Sequence, residues 1–308
     1  MNESLIVETL HCDSVLGSWT SSHWAPERDD ALFGAVDRIW DFDGALAYRR
    51  EQLFPSGTFE LAIQLDEPHR PVGAGVSEPF PAICLDGLQT ATATIEGPRG
   101  RCRVLGVTLR PLGAFALLGT SLAELTDRSV DLRAVIGRPA AELAERLDDR
   151  RQSAARVRTA VGWLRARLAR ARGIDPVVAA VFERIQCDGG RIAIAQLDEL
   201  GGRSRSRLAQ RFREQIGLAP KRYARVVRFH RALELLGASD GDDSLSAIAL
   251  AAGYYDQAHL NAEFREHAGL TPRRYLEAFR FPNSNHLALA AEDAPAGSFF
   301  QESAAGFV

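Results

Sequence analysis

The chain has 308 residues, 46% of them apolar and 25% charged, with a formal net charge of −3. That is a folding sequence long enough for two cores, and its slight acidity excludes a chain that attracts polyanions over its whole surface. No stretch approaches the roughly 20 apolar residues that span a bilayer. Glu3 and Glu8 lie where a signal peptide would carry positive charge, so the cytoplasm is the expected compartment. Cys12, Cys84, Cys102 and Cys187 stand singly and read as small core residues in a reducing environment, so neither a cofactor nor a metal is expected.

In chain order, the N-terminal part alternates strand-like runs with turns. Strands are expected at about Arg38 to Tyr48, Phe59 to Leu65, Ala82 to Leu85, Thr90 to Ile95 and Arg101 to Leu109, broken by Pro55-Ser56-Gly57, Pro68 to Gly75 and Gly97-Pro98-Arg99-Gly100. A compact β barrel or sandwich follows from this pattern. His11, His23 and His69 are isolated and turn-like in context, a poor ligand set. Glu60 is read as a surface residue of an edge strand, with a ligand-pocket contact as the alternative. Trp19, Trp24 and Trp40 are read as core aromatics. After Pro111 the pattern turns helical, at Leu112 to Leu118, Ser121 to Leu125, Pro139 to Leu147 and Ala154 to Ala171. Gly173-Ile174-Asp175-Pro176 is the boundary signal, placing an N-terminal domain at 1–172 (β-rich to about 110), a second domain at 175–281 and a flexible tail at 282–308.

The second domain contains a repeat. Leu208 to Tyr223 recurs without a gap from Leu260 to Tyr275, with nine identities in 16 positions, which means two copies of one supersecondary unit. Each copy reads as helix, turn, helix. Ile192 to Leu200 runs into Gly201-Gly202 and Leu245 to Ala252 into Gly253, a residue that tolerates positive φ. Ser204 and Asp256 follow as N-caps, Leu208/Phe212 and Leu260/Phe264 form the buried stripe, and Gly217 and Gly269 end the helices. The free face of the first unit carries Arg203, Arg205, Ser206, Arg207, Gln210 and Arg211; that of the second carries Gln257, Ala258, His259, Asn261 and Ala262. Arginine pairs with guanine, Gln and Asn with adenine, and Ala meets a thymine methyl, so the set suits a major groove. A solvated helix face is the bland alternative, weakened by the duplication.

Between the copies, Pro220 to about Leu236 reads as one amphipathic helix, with Tyr223, Val226, Val227, Leu233 and Leu236 on one side and Lys221, Arg222, Arg225, Arg228 and Arg231 largely on the other. Such a rod would set two reading helices against half-sites about 34 Å apart. From Arg191 to Arg231 there are 11 basic residues against Asp198, Glu199 and Glu214, a local charge of 11 − 3 = +8, as phosphate contacts require.

These residues resemble the DNA-binding domain of the AraC/XylS transcription regulators, most specifically from Ala247-Ile248-Ala249-Leu250-Ala251-Ala252-Gly253-Tyr254 through His259-Leu260 to Pro272-Arg273-Arg274-Tyr275. The resemblance covers roughly Pro176 to Phe281 and implies a seven-helix, two-lobed domain. It implies base contacts from Arg205, Ser206 and Gln210 in the first unit and from Gln257, Ala258 and Asn261 in the second. Lys221, Arg222, Arg273 and Arg274 complete the expected DNA-binding set. Leu53 to Leu61 and Gly106 to Ala114 look like an N-terminal domain found before such units, implying a cupin-like sensor or dimerisation module. The fold class expected is therefore α+β, a β barrel or sandwich with helices followed by an all-α domain. Double-stranded promoter or operator DNA is the implied partner, with RNA polymerase, a small-molecule effector and a second copy of the chain as further candidates. The alternatives are an architectural DNA binder without effector and a DNA-repair alkyl-transfer enzyme. The second would need an activated cysteine that Cys84 and Cys102 do not resemble, so no enzyme activity is expected.

Overall fold

The computed structural model describes residues 8–14, 17–73, 78–148, 152–171, 173–191, 205–239, 244–277 and 286–289. Its first half forms two antiparallel sheets, the smaller of which takes one strand from near the C-terminus. Strands β1 (Glu8–Ser14), β2 (Gly17–Trp24), β3 (Val36–Leu46), β4 (Arg50–Leu53), β5 (Phe59–Gln64), β6 (Arg70–Pro71), β7 (Ile83–Asp86), β8 (Ala93–Glu96), β9 (Arg101–Leu109), β10 (Ser129–Asp131) and β11 (His286–Leu289) assemble as β1-β2-β3-β9-β5-β7-β10 and β11-β4-β8-β6. Phe59, Leu61 and Ile63 alternate inward along β5, the period-two pattern of a half-buried strand. Gly106 is required where it stands, because a Cβ there would lie 2.0 Å from the Trp40 ring.

Helices α1 (Pro111–Leu118), α2 (Leu132–Ile136), α3 (Arg138–Asp148) and α4 (Ser153–Leu168) cover this part. Arg156 of α4 and Asp41 of β3 meet as a bidentate pair, 2.6 Å at both oxygens, with side-chain exposures of 1% and 0%. Burying both charges is tolerable because each satisfies the other.

The second half comprises α5 (Pro176–Cys187), α6 (Arg205–Ile216), α7 (Pro220–Ala238), α8 (Leu245–Ala252), α9 (Gln257–Ala268) and α10 (Pro272–Glu277). Ile192 to Leu200, together with Gly201-Gly202, Arg203 and Ser204, lies outside the described residues. Packing does not break at the Gly173–Pro176 turn. One apolar cluster runs from Trp24 and Phe59 through Leu88 and Leu122 to Phe212, Tyr223 and Val226. A second, around Phe229, Phe264 and Tyr275, takes in Phe54 from the sheet domain.

Three expectations need correction. β5 lies between β9 and β7, so Glu60 is not on an edge strand. Its carboxylate accepts hydrogen bonds from the Trp40 indole at 2.7 Å and the Thr108 hydroxyl at 2.9 Å. Within the tail expected from 282, His286–Leu289 forms a strand on β4; the tail residues on either side lie outside the described set. His11 and His23 sit in strands rather than turns, bonded to Thr20 and Ser21, and His69 meets Gln64. The four cysteines are free thiols. Burial pushes the Cys84 thiol up, and the Cys102 thiol to about 12, far from the thiolate that nucleophilic attack requires.

Candidate nucleic-acid interface

The two repeat copies fold into matching helices. In α9 the Asp256 side chain accepts from the His259 N–H at 2.8 Å, which satisfies an orphan donor of the first turn. Leu260 and Phe264 are buried, and Gly269 ends the helix at φ 71°. In α6, Leu208, Phe212 and Ile216 are buried and Gly217 follows at φ 101°. The turn before α9 is Gly253 at φ 89°, packed so closely that a Cβ would sit 2.3 Å from the Arg191 side chain.

The expected contact residues divide into several environments. Arg205, Ser206, Arg207, Gln210 and Arg211 are exposed along α6. Gln210 donates to Glu214 at 3.0 Å, and Arg211 pairs with the Asp175 carboxylate. On α9, Ala258 is exposed while Gln257, His259 and Asn261 are half-buried. Gln257 accepts from the Ser246 hydroxyl at 3.0 Å, which holds its amide at the helix start. Lys221, Arg273 and Arg274 are exposed, with Arg273 3.3 Å from Glu277. Arg222 reaches the sheet domain, donating to the Thr90 hydroxyl at 2.8 Å and lying 3.6 Å from Asp127. Arg203 is outside the described residues.

Helix α7 is 19 residues, about 28 Å at 1.5 Å per residue. Tyr223, Val226, Leu233 and Leu236 are buried on it as expected, and Ala224, Phe229 and Ala232 join them. Its basic side is partly turned inward. Arg225 donates to Glu263 at 2.7 Å and to Glu266 at 2.5 Å, Arg228 reaches Glu263 at 3.2 Å, and the Arg228 guanidinium lies 5.1 Å from the Tyr254 ring centroid. The Arg225 hydrogen bond holds the Glu266 carboxyl below its usual range. These pairs brace the connector against α9 and withdraw two cations from the basic surface read in the sequence. Glu263, three residues after Leu260, was the available signal. Tyr255 was also passed over; it is 86% exposed, immediately before the Asp256 cap.

Residues 200–278 match the family described as a helix-turn-helix domain, and residues 27–131 match a domain of unknown function, DUF6597. The C-terminal domain is a helix-turn-helix domain of the AraC/XylS type. The chain is 38% identical over 102 residues to an uncharacterised helix-turn-helix-type transcriptional regulator of Haemophilus influenzae, covering 33% of each chain. It is 34% identical over 115 residues to a putative AraC-like transcription regulator of Streptomyces lividans, covering 37% of this chain and 35% of that one. The chain thus spans about a third of the length of the curated relatives it matches. The solved structure of ToxT from Vibrio cholerae aligns over 78% of this chain and 98% of its own, with 14% identity and a TM-score of 0.43. Within the matched residues 200–278, α6 and α9 are the equivalent helices of the two repeat copies and α7 connects them.

Proposed function

We propose that the chain is a sequence-specific, DNA-binding transcription regulator that reads two adjacent major-groove segments with α6 and α9 and is controlled through its N-terminal domain. The observation that carries this reading is the division of faces. Each recognition helix buries its Leu/Phe stripe while its opposite face presents Arg205, Ser206, Arg207 and Gln210, or Gln257, Ala258 and Asn261. Those groups match base edges; Lys221, Arg273 and Arg274 supply phosphate contacts that fix register without carrying sequence information. Arg222 belongs to this set if it turns from Thr90 to a phosphate. The reading includes no catalytic role, a cytoplasmic location, RNA polymerase as the downstream partner, and regulation by a small molecule or by pairing of two copies through the N-terminal half.

The test is fluorescence anisotropy on duplexes selected from random DNA by the full chain. Gln257→Ala is expected to relax preference at one base pair by about 1 to 3 kcal/mol. Lys221→Ala is expected to weaken all duplexes alike and to lower the salt slope by about one. Equal loss on every duplex for both variants would refute the division of roles.

A further inference from the structure

The last turns of both recognition helices are held by the N-terminal domain. At the end of α6, the Leu122 N–H donates to the Glu214 carbonyl at 2.8 Å and the Thr126 hydroxyl donates to the Gly217 carbonyl at 2.8 Å. At the end of α9, the Thr92 N–H and hydroxyl both donate to the His267 carbonyl, at 2.8 and 2.9 Å. The Thr90 carbonyl receives the His267 imidazole at 2.7 Å. Carbonyls in the last turn of a helix have no partner within it, so donors from another domain both satisfy and position them.

Asp127 ties the two gripping segments to each other, beside the β7–β10 pairing and the bond from the Gly87 N–H to the Arg128 carbonyl at 2.9 Å. Asp127 accepts from the Thr90 N–H at 2.6 Å and from the Thr90 hydroxyl at 2.8 and 3.0 Å, while its own N–H donates to the Leu88 carbonyl at 2.9 Å. It is the one non-glycine residue at positive φ among the described residues, at 56°. A side chain in that region carries a strain that persists only where its surroundings hold it. Here the Thr90 bonds and the neighbouring Arg222 guanidinium do so. The result is a continuous path from the end of one recognition helix to the end of the other: Gly217, Thr126, Asp127, Thr90, Thr92, His267. It runs through the N-terminal domain rather than along α7, and the N-terminal turns of both helices, where Arg205 to Gln210 and Gln257 to Asn261 lie, stay outside it.

We propose that this path is a splint. By clamping the C-terminal ends of both recognition helices, the N-terminal domain sets their mutual spacing and makes the protein selective for the distance between half-sites as well as for their sequence. This deepens the DNA-binding reading and rests on it. The connector is tied to α9 by the ion pairs of Arg225 and Arg228 but meets α6 through apolar packing of Tyr223 on Phe212, which fixes the angle between the two units less firmly. The splint removes that freedom before DNA is met, so both units engage at once with little further ordering.

The experiment compares full-length protein with Asp127→Ala and Thr92→Val on four duplexes: the selected two-half-site sequence, the same sequence with about five base pairs inserted between the half-sites, half a helical turn, and each of the two half-sites alone. The unmodified protein is expected to prefer the natural spacing over the shifted one by about a hundredfold, the advantage of simultaneous engagement. Asp127→Ala is expected to reduce that preference to about fivefold or less with single half-site affinities unchanged, and Thr92→Val, which removes only a hydroxyl, to fall between. An undiminished preference in both variants, or a loss that falls equally on single half-sites, overturns the splint while leaving DNA reading intact. Failure of the unmodified protein to bind any selected duplex overturns DNA reading and the splint together. Cooperative thermal unfolding of each variant, followed by circular dichroism, shows that the comparison concerns folded protein.

Discussion

At the scale of single residues, the strongest commitment outside the interface is the Arg156–Asp41 pair. Both side chains are removed from water, and each oxygen meets a guanidinium nitrogen at 2.6 Å. Removing one partner strands a charge in the core, so Arg156→Ala is expected to cost about 3 to 5 kcal/mol in chemical denaturation, whereas Arg156→Met with Asp41→Leu recovers most of it. Equal loss in the single and double variants would show that the pair matters for its shape alone. Neither residue stood out in the sequence, since an Asp in a strand and an Arg in an Arg-rich helix both read as surface. Glu60 failed for the same reason: its alternation was legible, but whether β5 was an edge strand depended on β7 and β9 flanking it.

At the scale of elements, the repeat was legible because its signals are local. Asp256 as cap, Gly253 and Gly269 at positive φ, and the Leu260/Phe264 stripe follow from backbone geometry within one helical unit. Asp256→Ala is expected to destabilise the protein by about 1 kcal/mol through loss of the cap and to weaken binding at the half-site read by α9. An unchanged melting temperature would show that the His259 N–H finds another acceptor. The strands from Phe59, Ile83 and Arg101 were legible in the same way, by alternation between turns. β1, β2 and β11 were not, because Cys12, Ser18 or His286 acquires strand geometry from its partner strand. The cation count between Arg191 and Arg231 also overstated the free surface, since Arg225 and Arg228 face Glu263 and Glu266 across 35 to 41 residues of chain.

At the scale of the whole molecule, the seam between the halves holds two histidines. The His267 imidazole is pushed below its ordinary value of 6.5, chiefly by burial and also by Arg225, against the opposing bond to Thr90 and the charges of Glu263 and Glu266. Burial likewise lowers His230 on α7, with Arg38 adding to it and Glu234 and Asp37 opposing. A depressed imidazole is neutral when the halves are packed and takes up a proton more readily when they part. Stability of the packed state is therefore full above the ordinary value and lost as pH falls below it. The melting temperature is expected to drop between about pH 7.5 and about pH 5.5, and His267→Gln to flatten part of that drop. Parallel curves for the two proteins would remove His267 from the linkage.

What the amino-acid order determined by itself was everything carried by neighbours a few residues apart: the matching second helices of the two repeat copies with their glycine stops, the Asp256 cap, the buried stripes of those helices, and the β-rich first half with its helical sequel. Tertiary structure alone decided which polar groups meet across 91 to 175 residues of chain. It set Asp127 and Thr90 against Arg222, Thr92 against the end of α9, and Thr126 against the end of α6. Periodicity reports which face of an element is apolar, while the partner on that face depends on how all the elements pack at once. A single core running through the expected boundary is the consequence that no local pattern carries.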